Sequence, residues 1–259
     1  MIDMVNRVDR AVILAAGYST RLRPLTDNIP KTLLKVGRLT IFDMAVSALM
    51  NYGINNIIVV TGHAANSLRE HVKINYKQNS ITFRFIINDK PALGNIYSFY
   101  TAREYMDRDF ILLNSDVLFH PQILEYLLML DGSVLVVDDH KQVGEEEMKV
   151  KVNSNGIIKD ISKNIPVEEA DGEYIGIMKL TGEEIHKVVR SIESLFKEGK
   201  YNLYYEDAIR LIANREDCFY KCSTRGLPCI EIDTIEDLNN AKKIAYDIER
   251  GGCHEGKYR

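Results

Sequence analysis

Two cations that follow a small-residue turn could hold the phosphates of a ligand. A short apolar run at residues 11–14 is typical of a buried parallel strand. It leads into the turn Ala15-Ala16-Gly17, whose small side chains let a bound group approach the backbone closely. Arg21 and Lys31 come next. Because a strand end, a small-residue turn and converging cations suit phosphate binding, we expect Arg21 and Lys31 to contact phosphate groups.

Two aspartates each follow a predicted strand. Asp116 comes shortly after the apolar run at 110–113, and Asp233 comes directly after the run at 229–232. In an open parallel sheet the ligand crevice lies at the carboxyl ends of the strands, where a carboxylate is well placed to bind Mg2+ together with substrate phosphates. The alternative is that each aspartate caps a turn or helix, and Asp233 does precede a predicted helix. Two such acids beside a phosphate-type turn favour the metal site.

The glycine spacing excludes two common phosphate-binding motifs. No second glycine precedes Lys31, as a P-loop would require, and a dinucleotide fingerprint needs more glycines than Gly17. The string Leu14-Ala15-Ala16-Gly17, TRLRPLT at residues 20–26 and Pro30-Lys31 instead resembles the signature of nucleotidyltransferases that activate sugar phosphates and small phospho-alcohols. The resemblance covers residues 10–246. It implies that Asp116 and Asp233 ligate Mg2+.

Segments in the middle of the chain resemble one branch of this family in particular. Residues 94–98, 148–152, 172–176 and 205–207 look like those of bacterial choline-phosphate, phosphonoalkyl and inositol-phosphate cytidylyltransferases. The resemblance implies that the nucleotide is CTP. The residues that it assigns to nucleotide binding are Leu14, Ala15, Ala16, Gly17, Gly94, Asn95 and Ser98.

Candidate acceptor ligands lie later in the chain. We expect Lys149, on the wet face of a predicted hairpin, and Lys163 just after it to grip the acceptor's phosphate, although surface lysines also keep edge strands soluble. Tyr204, Tyr205, Glu206 and Asp207 combine aromatic rings with carboxylates, which suits an ammonium group. Ordinary helix packing with an acidic first turn explains the same cluster equally well.

The acceptor itself stays open at this point. Choline-specific members of the family surround the trimethylammonium group with tryptophans, and this chain contains no tryptophan. A smaller amine such as 2-aminoethylphosphonate is therefore a rival to phosphocholine. A sugar-1-phosphate or inositol-1-phosphate nucleotidyltransferase and a non-catalytic nucleotide-binding regulatory module are the competing functions.

Strands that alternate with helices predict the architecture. The pattern indicates an α/β fold with a doubly wound, mostly parallel central sheet of the Rossmann-like nucleotidyltransferase type. Near residue 147 alternating polar and apolar residues favour a β-hairpin. We predict one domain at 10–246, with a β-rich, acceptor-binding insertion at about 140–182 and a frayed tail at 250–259.

Composition restricts the partners. The 259 residues carry a net charge of −4, whereas a nucleic-acid partner would favour a basic stripe. No apolar run reaches the length of a membrane span and the polar N-terminus lacks a signal-peptide core, so we expect a cytoplasmic protein. The spacing of Cys218, Cys222, Cys229 and Cys253 does not suit zinc and indicates reduced thiols. His63, in a predicted crevice loop, receives no catalytic role, and the pattern leaves the oligomeric state open.

Overall fold

A mixed, mostly parallel sheet forms the centre of the protein. The computed structural model describes residues 8–77 and 80–250. Within these residues, a path of seven strands has the order β10-β6-β9-β4-β1-β2-β3, and β7 joins it by pairing with β8 and β9. The strands are β1 (Arg10–Ala15), β2 (Asn56–Thr61), β3 (Thr82–Ile87), β4 (Phe110–Asn114), β5 (Val117–Phe119), β6 (Ser133–Asp138), β7 (Lys149–Val152), β8 (Ile158–Ser162), β9 (Glu173–Leu180), β10 (Phe219–Ser223) and β11 (Cys229–Glu231).

Strand direction follows the predicted winding with one exception. Strand β1 pairs in parallel with β2 and β4, and β2 pairs in parallel with β3. Strand β9 is antiparallel to both of its long neighbours, β4 and β6. These pairings and the helices on both faces confirm the predicted α/β, doubly wound, mostly parallel sheet. Strand β9, which the predicted insertion includes, lies between β4 and β6 within the central sheet.

Helices cover both faces of the sheet because β1 is apolar on both sides. Its alternate residues enter two separate cores: Val12 and Leu14 face one, and Ala11 and Ile13 face the other. Helices α3, α5 and α6 pack on the first face, and α1, α2 and α4 pack on the second. The helices are α1 (Ile41–Asn51), α2 (Ala65–Asn75), α3 (Asn95–Thr101), α4 (Gln122–Met129), α5 (Gly182–Lys197), α6 (Tyr205–Ala213) and α7 (Ile235–Glu249).

A third apolar cluster lies beneath the predicted phosphate turn. It contains Leu22, Leu34, Leu118 and Ile232, which are close in sequence to the four charged candidates, and it packs them against α7. Leu22 follows Arg21 directly, and Ile232 precedes Asp233 directly. The cluster therefore fixes the four segments that carry these candidates relative to one another.

The region of the predicted insertion departs from one expectation. Strands β7 and β8 form the expected antiparallel hairpin. Lys149, however, is buried, with 1% of its surface exposed, so its predicted position on a wet face is wrong. Its ammonium group donates to the backbone carbonyls of Glu145, Glu147 and Gly144 at 2.6, 3.3 and 3.4 Å. Because these carbonyls accept hydrogen bonds from the ammonium group, burial of its charge is tolerated.

Three of the four cysteines lie within the described residues, where one is buried and two are partly buried. Cys218, Cys222 and Cys229 are free thiols. Residues 251–259, which include Cys253 and most of the predicted frayed tail, lie outside the described residues. Within the described part of the chain, no helix has the length and apolar character needed to cross a membrane.

Candidate active site

One pocket at the carboxyl end of β1 brings together most of the predicted site. Its volume is about 330 Å³, and its walls come from the β1 turn, the segment around Lys31, the start of α3, the end of β4 and Asp233, two residues before α7. It contains every residue predicted to act in catalysis, nucleotide binding or metal binding, namely Leu14, Ala15, Ala16, Gly17, Arg21, Lys31, Gly94, Asn95, Ser98, Asp116 and Asp233.

The small residues of the β1 turn pack closely against Gly62 on one side and leave open space on the other. Ala15 and Ala16 are buried. Behind them, a Cβ atom on Gly62 would lie 2.6 Å from the carbonyl oxygen of Ala16, so only glycine allows β2 to end this close to the turn. A Cβ atom on Gly17 would meet no atom of the described residues within 4 Å. The turn therefore packs tightly against the protein and is open towards the pocket.

Lys31 lies between the two predicted metal ligands. Its Nζ is 2.9 Å from Oδ2 of Asp116 and 2.8 Å from Oδ1 of Asp233. Arg21 is 2.7 Å from the other oxygen of Asp233. Lys31 is 8% exposed, whereas the Arg21 side chain is 66% exposed. The two cations thus differ: one is fixed inside the pocket, and the other remains accessible at its edge.

Charge pairing dominates the ionisation of these groups. Burial alone would lower the pKa of Lys31, but the carboxylates of Asp116 and Asp233 outweigh it and raise that pKa above its ordinary value. Burial would likewise raise the pKa of Asp233, and the positive charges of Lys31 and Arg21 outweigh it and lower the pKa. Lys31 therefore stays cationic and Asp233 anionic near neutral pH.

The two aspartates fit a magnesium ion that shares its ligands with a substrate. Oδ1 of Asp116 is buried and has no hydrogen-bonding partner among the described residues, so one carboxylate oxygen of this pocket residue is unpaired. Within residues 8–77 and 80–250 no group of three or more His, Cys, Asp and Glu side chains is arranged to hold a metal ion. Mg2+ suits such a pair, because it commonly takes one or two carboxylates and completes its shell with waters and phosphates.

Asp233 does not cap the helix that follows it. The N-cap of α7 is Thr234, whose hydroxyl accepts from the backbone of Asp237 in a complete capping box. The carboxylate of Asp233 instead contacts Lys31 and Arg21. Helix capping therefore does not account for this carboxylate.

The pocket wall at the start of α3 is polar, and hydrogen bonds of side-chain amides hold it in place. Gly94 has a φ of +79°, a conformation that favours glycine, and it leads into α3. Asn95 accepts a hydrogen bond from the backbone of Tyr205 at 3.0 Å. Ser98 is buried and accepts from the side chain of Asn88 at 3.0 Å. The segment predicted to flank the base is thus fixed by contacts with its neighbours.

The acceptor candidates do not form one cage. None of the six lines the pocket described above. Lys163 and Tyr204 lie at the surface, with the lysine Nζ 5.4 Å from the centre of the tyrosine ring. Tyr205 is fully buried, and its hydroxyl is bonded to Tyr174 and Asn114. The four-residue cluster at 204–207 is therefore divided between the surface and the core, because consecutive residues at a helix start point in different directions.

Asp207 and Glu206 have different surroundings. Asp207 accepts from the backbone N–H of Tyr204 at 2.9 Å and closes the capping box of α6. Glu206 is 3% exposed and accepts from Asn95 at 3.2 Å. Burial raises the pKa of Glu206 to about 7. Of the two acids, Glu206 contacts a residue of the pocket wall.

Glu231 is a candidate that the sequence analysis did not single out. It ends β11, two residues before Asp233. Burial, followed by the negative charges of the neighbouring acids, raises its pKa well above the ordinary value. These acids are Asp116, Glu173, Asp233 and Glu206. The spacing Glu231-Ile232-Asp233 was a possible signal, since alternate residues of a strand share a face.

Comparisons with known proteins agree with this geometry. A family model described as nucleotidyl transferase matches residues 10–132. The choline-phosphate cytidylyltransferase of Streptococcus pneumoniae is 25% identical over 91% of this chain and 97% of its own length. The bifunctional IPC transferase and DIPP synthase of Aquifex aeolicus is 29% identical over 96% of this chain, which spans 54% of that protein.

A solved structure shows the same fold. The inositol-1-phosphate CTP transferase from T. maritima superposes with a TM-score of 0.79 and 23% identity, over 94% of this chain and 97% of that one. The family match begins at the first residue of β1 and includes the β1 turn, Arg21, Lys31 and Asp116. Within residues 10–132 the chain thus matches the nucleotidyl transferase family, and two relatives that span most of its length are cytidylyltransferases by name.

Proposed function

We propose that the protein is a cytidylyltransferase that transfers CMP from CTP to a small phosphorylated or phosphonate acceptor and releases pyrophosphate. The observation that carries the proposal is the convergence of Arg21, Lys31, Asp116 and Asp233 beside the β1 turn. The choice of CTP is supported by relatives whose names specify cytidylyltransferases, among them the Streptococcus pneumoniae enzyme and the phosphoglutamine cytidylyltransferase of Campylobacter jejuni.

The reaction needs positioning and charge neutralisation more than proton transfer. An acceptor oxygen attacks the α-phosphorus of CTP, a new P–O bond forms, and the bond to pyrophosphate breaks. A phosphate or phosphonate oxygen is already anionic near neutral pH, so no general base is required. Lys31 would neutralise the α-phosphate and the incoming oxygen. The exposed Arg21 would hold the β- and γ-phosphates, whose negative charge grows as pyrophosphate departs.

Asp116 and Asp233 would hold Mg2+, which when bound supplies positive charge to the reacting phosphate oxygens. Before any cation arrives, these carboxylates are neutralised by Lys31. The amine of Lys31 would then exchange its carboxylate contacts for contacts with the nucleotide. A flexible lysine side chain suits this exchange, because only its terminal group needs to move.

Two acids near the pocket support an acceptor that carries a positive charge. Glu206 accepts from Asn95 of the pocket wall, and Glu231 lies two residues before Asp233. Glu206 and Glu231 are carboxyl groups whose ionised forms are disfavoured by burial. An ammonium group placed among them would stabilise the carboxylate forms. Names among the relatives include both amine acceptors, such as the 3-aminopropylphosphonate of a Streptomyces rubellomurinus enzyme, and inositol phosphate. The amine class is our proposal, and inositol 1-phosphate is the competing acceptor.

A substrate panel tests the proposal directly. Pyrophosphate release should be measured with CTP, UTP, dTTP and ATP against phosphocholine, phosphoethanolamine, 2-aminoethylphosphonate, inositol 1-phosphate and glucose 1-phosphate. We expect CTP with an amine acceptor to give the highest kcat/KM. A preference for UTP or dTTP with glucose 1-phosphate would replace the proposal by a sugar nucleotidyltransferase. CTP with inositol 1-phosphate would retain the nucleotide and reject the amine.

A further inference from the structure

The loop that carries Arg21 has little regular structure of its own. We call residues 17–30 the signature loop. It contains only a short 3-10 turn at Thr20–Leu22 before Lys31 begins another. Inside the loop, the hydroxyl of the fully buried Thr26 donates to the carbonyl of Ser19 at 2.9 Å. Backbone hydrogen bonds of its turns and the packing of Leu22 in the third apolar cluster also hold the loop. Because Thr26 links the far half of the loop to the half that carries Arg21, a side chain that fixes Thr26 from outside affects where Arg21 lies.

Two side chains from a neighbouring segment reach the backbone of this loop. His63 lies 2.8 Å from the carbonyl oxygen of Thr26 through its Nε2. Ser67 donates its hydroxyl to the carbonyl of Asn28 at 3.0 Å. His63 comes from the connection between β2 and α2, and Ser67 comes from the first turn of α2. They therefore tie the far half of the signature loop to the central sheet.

The β2–α2 connection has a backbone that places His63 at this position. The glycine before it, Gly62, allows close contact with Ala16, and the backbone N–H of His63 donates to the carbonyl of Ala16 at 3.4 Å. Ala64 adopts a left-handed conformation with φ of 51°. That conformation is unfavourable for a residue other than glycine, so surrounding contacts must stabilise it.

We propose that His63 is a positioning residue for nucleotide binding: it holds the signature loop in the shape that presents Arg21 to the phosphates. The proposal rests on the proposed function of the pocket. A carbonyl accepts, so Nε2 must carry a proton, which selects the Nε2–H tautomer of the neutral ring and is equally satisfied by the charged ring.

Substitutions at His63 separate positioning from general stability. His63→Ala should raise the KM for CTP about tenfold, the effect of one hydrogen bond whose loss leaves a carbonyl unpaired, while kcat changes less than threefold. His63→Gln should restore most of the affinity, because its amide N–H2 lies near the place of Nε2, and His63→Asn, with a shorter side chain, should not. Asn66→Ala is the matched control, since Asn66 is exposed on the same segment.

Limited proteolysis tests the loop without requiring activity. Trypsin should cut after Arg21 faster in His63→Ala than in the wild type or Asn66→Ala, and His63→Gln should slow the cut again. Ser67→Ala, which removes the second tie, should also accelerate cleavage and serves if His63→Ala does not fold. Unchanged cleavage and unchanged KM in these variants would overturn the proposal. A protein that lacks nucleotidyl transfer but shows the cleavage pattern would retain the loop tie and reject only the function.

Discussion

Lys31 Nζ lies 2.8 Å from Oδ1 of Asp233, although 202 residues separate them in the chain. The fold produces this contact by packing the segment after Lys31 and the start of α7 against one apolar cluster. The buried ammonium group of Lys31 thus supplies the positive charge that a bound metal cation would otherwise supply to these carboxylates. It also lies where it could contact a phosphate of the substrate. This arrangement of charges determines the expected effects of substituting Lys31 and Asp233.

Lys31→Ala should reduce turnover more than a hundredfold, since it removes at least ~3 kcal/mol of transition-state stabilisation at the α-phosphate. Steady-state rates of pyrophosphate release measure the effect. Lys35→Ala is the control, because Lys35 is exposed four residues later on the same segment. A Lys31→Ala enzyme within tenfold of the wild type would exclude the catalytic role.

Lys31→Ala should also change how the free protein responds to divalent cations. The substitution removes from Asp116 and Asp233 the cation that they share, so Mg2+ meets a more negative site. We expect Mg2+ without nucleotide to raise the melting temperature of Lys31→Ala more than that of the wild type. Equal shifts in the two proteins would show that Lys31 does not compete with the metal for these carboxylates.

Asp233→Asn and Thr234→Ala should have opposite effects on turnover and on stability. Asp233→Asn should abolish metal-dependent turnover and leave the start of α7 intact, because Thr234 supplies the cap. Thr234→Ala should lower the free energy of unfolding by about 1 kcal/mol, the usual cost of a lost N-cap, and retain turnover well below its melting temperature. Chemical denaturation and activity should be measured on both. An active but unstable Asp233→Asn would return that residue to a structural role.

Asp207→Asn should affect stability and not acceptor choice. The carboxylate closes the capping box of α6, so its loss should lower the free energy of unfolding by about 1 kcal/mol and change kcat/KM for all acceptors by the same factor. Glu206→Gln is the variant that tests the amine pocket. It should reduce kcat/KM for amine acceptors more than for inositol 1-phosphate. An acceptor-selective effect of Asp207→Asn would contradict the structural assignment.

Glu206 should make the stability of the protein depend on pH. Its pKa rises from an ordinary value of 4.5 to about 7 because it is buried. The folded protein therefore holds this proton more tightly than the unfolded chain does, so the free energy of unfolding falls as the pH rises from about 4.5 to 7, by ~3 kcal/mol at most. Urea denaturation of wild type and Glu206→Gln across this range should show the difference. Parallel curves would mean that Glu206 is ionised in the folded protein.

The sequence by itself determined the sheet type and the phosphate end of the site. The apolar run before Ala15-Ala16-Gly17 and the alternation of strands and helices are local features, and local features predict β1 and its turn. Arg21 and Lys31 were recognised because they follow the small-residue turn in a spaced signature string. Asp116 and Asp233 were recognised because each follows the end of a predicted strand. The carboxyl ends of neighbouring strands meet at one edge whatever the details of packing.

Only the tertiary structure decided which polar residues are available to contact a ligand. Lys149 alternates with apolar neighbours like a solvated residue, yet the turn carbonyls before it surround its amine. The side chains of Asp207 and Glu206 are adjacent and chemically alike, and one caps a helix while the other is buried beside Asn95. The contact of His63 with Thr26 joins two loops. Such contacts depend on how distant segments pack, and no local pattern of residue types encodes that.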